Sequence, residues 1–155
     1  MSTRPYLDKT HPEIYRALGG AARAARKAYD DAGLGQDIIE LINVRVSQIN
    51  GCPTCLSIHV PAARRAGVSE QALNILPSWR NDASSFFTEE QRAALALAEA
   101  LTQPQPAPGG DTVAEAIARA NAVWSPERVS ALEWAIVLIN AYNRVSIGSG
   151  HPPLS

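Results

Sequence analysis

The sequence predicts an all-α fold, a single-domain bundle of about six or seven helices. Apolar residues recur at three- and four-residue spacing, recognisable helix caps punctuate the chain, and no stretch alternates as a half-buried strand would.

Thr10 followed by Glu13, with Pro12 in the first turn, predicts a capping box. It opens a helix through Ile14, Leu18, Ala21, Ala25 and Ala28 that Gly33 ends. Asp37 is expected to cap a second helix over residues 38–49, whose apolar side chains surround it so widely that it should be buried, within the domain or against another subunit. Asn50-Gly51 breaks the chain, since both residues tolerate positive φ. Pro53 suits the first position of a helix running to about residue 66 and stopped by Gly67. Pro61 inside it removes a donor and crowds the Ser57 carbonyl, predicting a kink near His59.

Ser69 can cap a short helix through Ile75, and the segment from Pro77 to Asp82 reads as an irregular connection. Thr88 and Gln91 form a second capping box, before a helix whose alanines Ala93, Ala94 and Ala98 permit close packing. The proline-rich segment 104–110 is an exposed connection, because too few residues follow it to fold alone. A helix over about 112–122 comes next, and Ser125-Pro126-Glu127 starts a long last helix through Leu132, Trp134, Ile136, Ile139 and Tyr142, ending near Gly148 or Gly150.

At 155 residues the chain fits one domain, residues 1–155. Hydrophobic residues make up 46% and charged residues 19%, and the net charge of −1 offers no field for nucleic acid or anionic lipid. The polar start, Met1 to Lys9, lacks the apolar run of a signal peptide, and no later run reaches membrane-spanning length. A cytoplasmic protein binding neither nucleic acid nor membrane is expected.

Chemistry concentrates in residues 50–59, which hold both cysteines and one of the three histidines. If the chain is helical from Pro53, then Cys52, Cys55 and His59 project from one face. A helix start offers partial positive charge and free N–H groups to a thiolate, the species that attacks peroxides and disulfides. His59 is the nearest base. A reversal at Asn50-Gly51 would bring Glu40 beside His59, where a carboxylate orients the imidazole, although Arg45 competes for Glu40. Cys55, deeper and nearer His59, is the expected attacking thiolate, and Cys52, expected to be more exposed, would resolve the sulfenate and meet an external reductant. Helix-start electrostatics alone would instead make Cys52 the lower-pKa thiol. Glu40 to Asn50 and Glu133 to Asn143 share one spacing across an apolar helix, but the second copy has neither Cys nor His.

The pattern of Glu40, eleven residues, Cys52-Pro53-Thr54-Cys55, three residues and His59, preceded by Ser47-Gln48-Ile49-Asn50-Gly51, resembles the AhpD-like alkylhydroperoxidases of the carboxymuconolactone decarboxylase superfamily. The likeness covers about residues 37–76, and Asn140-Ala141-Tyr142-Asn143-Arg144 is also similar to that family. The resemblance implies an all-helical homo-oligomer, commonly a trimer or hexamer, with peroxidase and disulfide reductase activity and no prosthetic group. It implies that Cys55 is peroxidatic, Cys52 resolving, and Glu40 and His59 a proton relay. The implied partners are an organic hydroperoxide or hydrogen peroxide as substrate and an external dithiol, in known members a lipoyl-bearing adaptor, as reductant. Thr54 stands where the best-known members carry another histidine.

Two other readings compete. One is a dithiol–disulfide oxidoreductase without efficient peroxide turnover. The other is a non-enzymatic helical assembly module with a redox-sensitive or metal-binding pair, although Cys52, Cys55 and His59 give only three of the four ligands zinc needs, and no metal site is expected. His11 is expected at a helix start, His151 in a solvated tail, and Trp79, Phe86, Phe87, Trp124 and Trp134 in the core or a subunit contact.

Overall fold

Among residues 3–155, which the computed structural model describes, every regular element is helical. The elements are α1 (Leu7–Thr10), α2 (Pro12–Asp31), α3 (Gln36–Asn50), α4 (Pro53–Arg65), α5 (Glu70–Ile75), a 3₁₀ segment (Leu76–Asn81), α6 (Glu89–Thr102), α7 (Val113–Val123) and α8 (Pro126–Ser149). The all-α class is as expected, and α1 is the helix beyond the six or seven.

That short helix displaces the first expected cap. The Thr10 N–H and hydroxyl both donate to the Tyr6 carbonyl, at 2.8 and 3.1 Å, so Thr10 closes α1 instead of opening α2. His11 takes the cap position of α2 without a side-chain capping bond, and Glu13 pairs with Arg16. Asp37 does not cap α3 either. The helix starts earlier, behind Gly35, and the Asp37 carboxylate instead accepts from Gln91 Nε2 of α6 at 3.0 Å. The segment expected to be irregular after Ile75 is the 3₁₀ turn, and α4 continues unbroken through Pro61. The caps at Ser69, Thr88 and Ser125 form as expected, the second with its complete capping box.

Helix α3 is the axis of the bundle, packed against α4, α6 and α8. Ile38, Ile39, Ile42 and Val46 face one core cluster, with the alanines of α6 and α7 and Leu132 and Ile136 of α8. Leu41 and Val44 face a second cluster, with Ala63, Leu73, Leu76, Trp79 and Leu95. A helix apolar on every side therefore buries both. Removing a side chain such as Ile42 from water contributes about 1.5–3 kcal/mol.

Polar ties fix what the apolar clusters leave free. Glu99 of α6 accepts from Arg45 Nε at 2.8 Å, Trp79 Nε1 at 2.9 Å and Arg80 Nε at 2.9 Å. Asp111 then bridges Arg80, at 3.3 Å, and Arg119, at 2.9 Å. At the C-terminal end of α3, Asn50 Nδ2 donates to the side-chain oxygens of Asn140, at 2.9 Å, and Asn143, at 3.0 Å, and the fully buried Asn143 donates to Ser47 Oγ at 3.1 Å. Asn50 and Asn143, the matching ends of the two similarly spaced segments, thus meet and hold the corner before Cys52.

Candidate active site

The corner is made by Gly51, whose φ of +67° favours a residue without a side chain. It returns the chain into α4 with Cys52 at the cap position, where Cys52 Sγ accepts from the Cys55 N–H at 3.2 Å. The two sulfurs are joined as a disulfide. Cys52 is 0% exposed and Cys55 4%, so the expectation that Cys52 is the more exposed sulfur is overturned. The reason is its place at the buried corner: the Cys52 N–H donates back to the Ser47 carbonyl, below the α3–α8 amide cluster.

Antiparallel α3 and α4 bring Glu40 and His59 together, with Glu40 Oε2 2.7 Å from His59 Nδ1. Gln36 Nε2, at 3.0 Å, and Asn43 Nδ2, at 3.5 Å, also donate to Glu40. Burial pushes the Glu40 carboxyl up, but hydrogen bonds and charge attraction from His59, with Asn43 and Gln36, outweigh it and hold the group below its ordinary value. Glu40 is therefore an acceptor at neutral pH. It assigns the proton of a neutral imidazole to Nδ1 and leaves Nε2 as the base. Arg45, the competing partner, goes to Glu99 instead. No hydrogen bond joins His59 to either sulfur among the described residues; the imidazole lies one turn beyond Cys55 on α4.

Thr54 is already committed, its hydroxyl donating to the His151 carbonyl at 2.5 Å. His151 is not a solvated tail residue. Its Nε2 lies 3.1 Å from Asp8 Oδ1, its ring stands edge-on to Tyr6 at 4.8 Å, and the Leu154 N–H reaches Ser57 Oγ at 2.9 Å. The C-terminal segment thus ties the first turns of α4 to the N-terminal region. Sequence reasoning missed this because no short-range pattern pairs residues so far apart. Of the aromatics, Trp79, Phe87 and Trp124 are buried, whereas Phe86 and Trp134 are exposed, Trp134 to 58%.

A pocket of about 270 Å³ opens beside the Glu40–His59 pair. Arg23, Arg26 and Tyr29 of α2 and Tyr142 of α8 contribute to its wall, and neither cysteine does. Among the described residues no cluster of three or more His, Cys, Asp or Glu side chains is arranged to hold a metal, and no helix is long and apolar enough to cross a membrane.

The carboxymuconolactone decarboxylase family model matches residues 12–100, which include α2, α3 and the whole cysteine–histidine segment. The chain belongs to this family. It is 36% identical over 112 residues to YdfG of Bacillus subtilis, an uncharacterised protein, covering 72% of this chain and 73% of that one. A crystal structure of an Agrobacterium tumefaciens protein of unknown function, described as a candidate antioxidant defence protein AhpD, superimposes with a TM-score of 0.80 at 31% identity, covering 99% of each chain. The apo structure of the debrominase Bmp8 shares the fold, with a TM-score of 0.74 at 20% identity over 95% of this chain and 74% of its own.

Proposed function

We propose that this family member is a thiol-dependent hydroperoxide reductase, with Cys55 as the attacking thiolate, Cys52 as the resolving thiol, and Glu40 and His59 as the proton relay. The observation that carries the reading is the disulfide at the start of α4 one turn before an imidazole held by a buried carboxylate.

In the reduced enzyme the Cys55 thiolate attacks the terminal peroxide oxygen. The S–O bond forms, the O–O bond breaks, and the departing alkoxide takes a proton and leaves as alcohol. Cys52 then attacks the Cys55 sulfenic sulfur, forming the S–S bond and releasing water. An external dithiol, such as a lipoyl-bearing adaptor, attacks the disulfide, becomes a disulfide itself and restores both thiols.

Two features support this order of roles. Cys55 stands one turn before His59 on α4, closer to it along the helix than Cys52. Cys52 receives the field and the N–H of the helix start, which favour its thiolate as the group that condenses with the sulfenate. Because Thr54 is bonded to a backbone carbonyl, proton transfer falls to Glu40 and His59. A homo-oligomer, trimer or hexamer, is the expected assembly.

The test is a thiol titration with peroxide. Reduced wild type is expected to lose two thiols per chain on treatment with an organic hydroperoxide. Cys52→Ser should stop at a sulfenic acid that a dimedone-type reagent traps, and Cys55→Ser should not react. Thiols that survive treatment with several hydroperoxides would sink the reading, and turnover in Cys55→Ser would reverse the roles.

A further inference from the structure

The pocket beside His59 has a charge pattern that the thiol chemistry does not use. Arg23 and Arg26 lie three residues apart on α2, hence on one face, and both line it. Neither is engaged in an ion pair among the described residues. Arg26 Nε is 3.4 Å from the Tyr29 hydroxyl, and the guanidinium also feels the charges of Asp30 and Glu40 without a direct ion pair to either. The one carboxylate of the pocket, Glu40, is occupied by His59, Gln36 and Asn43.

Behind this cationic rim the wall is apolar. Ile39, Leu138 and Ile139 line it, and Ala22, Ala25 and Ala135 are small enough to leave the space open. Tyr142 adds a phenol that burial keeps in its protonated, hydrogen-bonding form. Guanidiniums that line an apolar cleft match a carboxylate carried on a hydrocarbon body, since planar guanidinium donors fit a carboxylate edge and the body removes apolar surface from water. Hydrogen peroxide would use neither feature, and an inorganic anion only the first.

We infer that this pocket binds a medium-chain organic carboxylate, with Arg23 and Arg26 holding its head group and the apolar wall its body, so that the substrate class is a carboxylate-bearing hydroperoxide. The substrate clause rests on the peroxidase reading; the binding clause does not. With the head group at the arginines, the chain runs toward His59, the pocket residue on the same helix face as Cys55.

The experiment has a binding arm and a kinetic arm. Octanoate and methyl octanoate are titrated calorimetrically into wild type, the Arg23→Gln/Arg26→Gln double variant, and Arg16→Gln, which removes a charge of α2 outside the pocket. Octanoate should bind wild type and Arg16→Gln about tenfold or more tightly than the ester, a preference the double variant loses. Equal binding of acid and ester to wild type, a preference that survives in the double variant, or its loss in Arg16→Gln would each overturn the inference. In the kinetic arm a hydroperoxy fatty acid is compared with its methyl ester, and kcat/KM should favour the acid by about the same factor. Arginine-dependent octanoate binding without thiol oxidation by either hydroperoxide would remove the peroxidase reading and keep the site. Thiol oxidation by both at equal rates, with no octanoate preference, would do the reverse.

Discussion

Glu40 and Glu99 are equally buried, 7% and 6% exposed, on neighbouring helices of one bundle, yet they have opposite partners. Glu99 is surrounded by two guanidiniums and an indole N–H, donors that stay charged or neutral at any physiological pH. Glu40 is paired with an imidazole and two amides at the edge of a pocket. A buried carboxylate saturated by permanent cations has no proton to exchange and serves as a joint. One that orients a titratable ring beside open space can take part in chemistry. Glu99→Ala should be the sharpest test of this division, because it strands Arg45 without a counter-charge and leaves Arg80 only Asp111. A loss of about 3–5 kcal/mol in urea unfolding is expected. A loss below about 1 kcal/mol would mean that the network carries little and that the contrast is empty.

The same comparison predicts a different kind of damage at Glu40. Glu40→Gln keeps an acceptor for His59 Nδ1 and most of the volume, so stability should change by about 1 kcal/mol. Turnover with an organic hydroperoxide should nevertheless fall by about 10–100-fold in kcat/KM, because the imidazole loses the carboxylate that fixes its tautomer and orientation. If the variant instead unfolded as readily as Glu99→Ala and kept its rate once folded, Glu40 would be a second structural joint.

The parts of the molecule legible in the sequence are those written at short range. Capping at Ser69, Thr88 and Ser125, the all-round apolar pattern of α3, and the turn at Asn50-Gly51 are set by residues within a few positions of one another. The meeting of Glu40 and His59 is also legible, because one turn between two helices fixes where residues at similar distances from it land. The Thr10 cap failed because Tyr6, four residues upstream, captured both its donors, and the Asp37 cap failed because Gln91 offered a partner on α6. His151 and the Glu99 network were illegible for a related reason. Their partners, Asp8 and Thr54 for His151 and Arg45 and Arg80 for Glu99, come from distant parts of the chain that only packing brings close. The burial of Cys52 is not legible either, because a helix start is commonly near solvent, whereas here Asn143 and Ser47 hold that corner in the interior.

The smallest expected effect is the most direct reading of the Glu40 environment. Its carboxyl is held below the ordinary value of 4.5, with burial raising it and the bonds from His59, Asn43 and Gln36 lowering it further. A carboxyl with a depressed folded value stabilises the protein fully above its unfolded value, and that contribution is lost as pH falls through the folded one. Wild type should therefore exceed Glu40→Gln in unfolding free energy at about pH 7, and the gap should close only below about pH 4.5. Other carboxylates titrate there too, but they are common to both proteins and cancel in the difference. Urea unfolding of the two proteins at about pH 7 and at several values between about pH 3 and 5 measures it. A gap that stayed constant through the acid range would show that Glu40 gains nothing from ionisation in the fold, and the line drawn between it and a neutral buried acceptor would disappear.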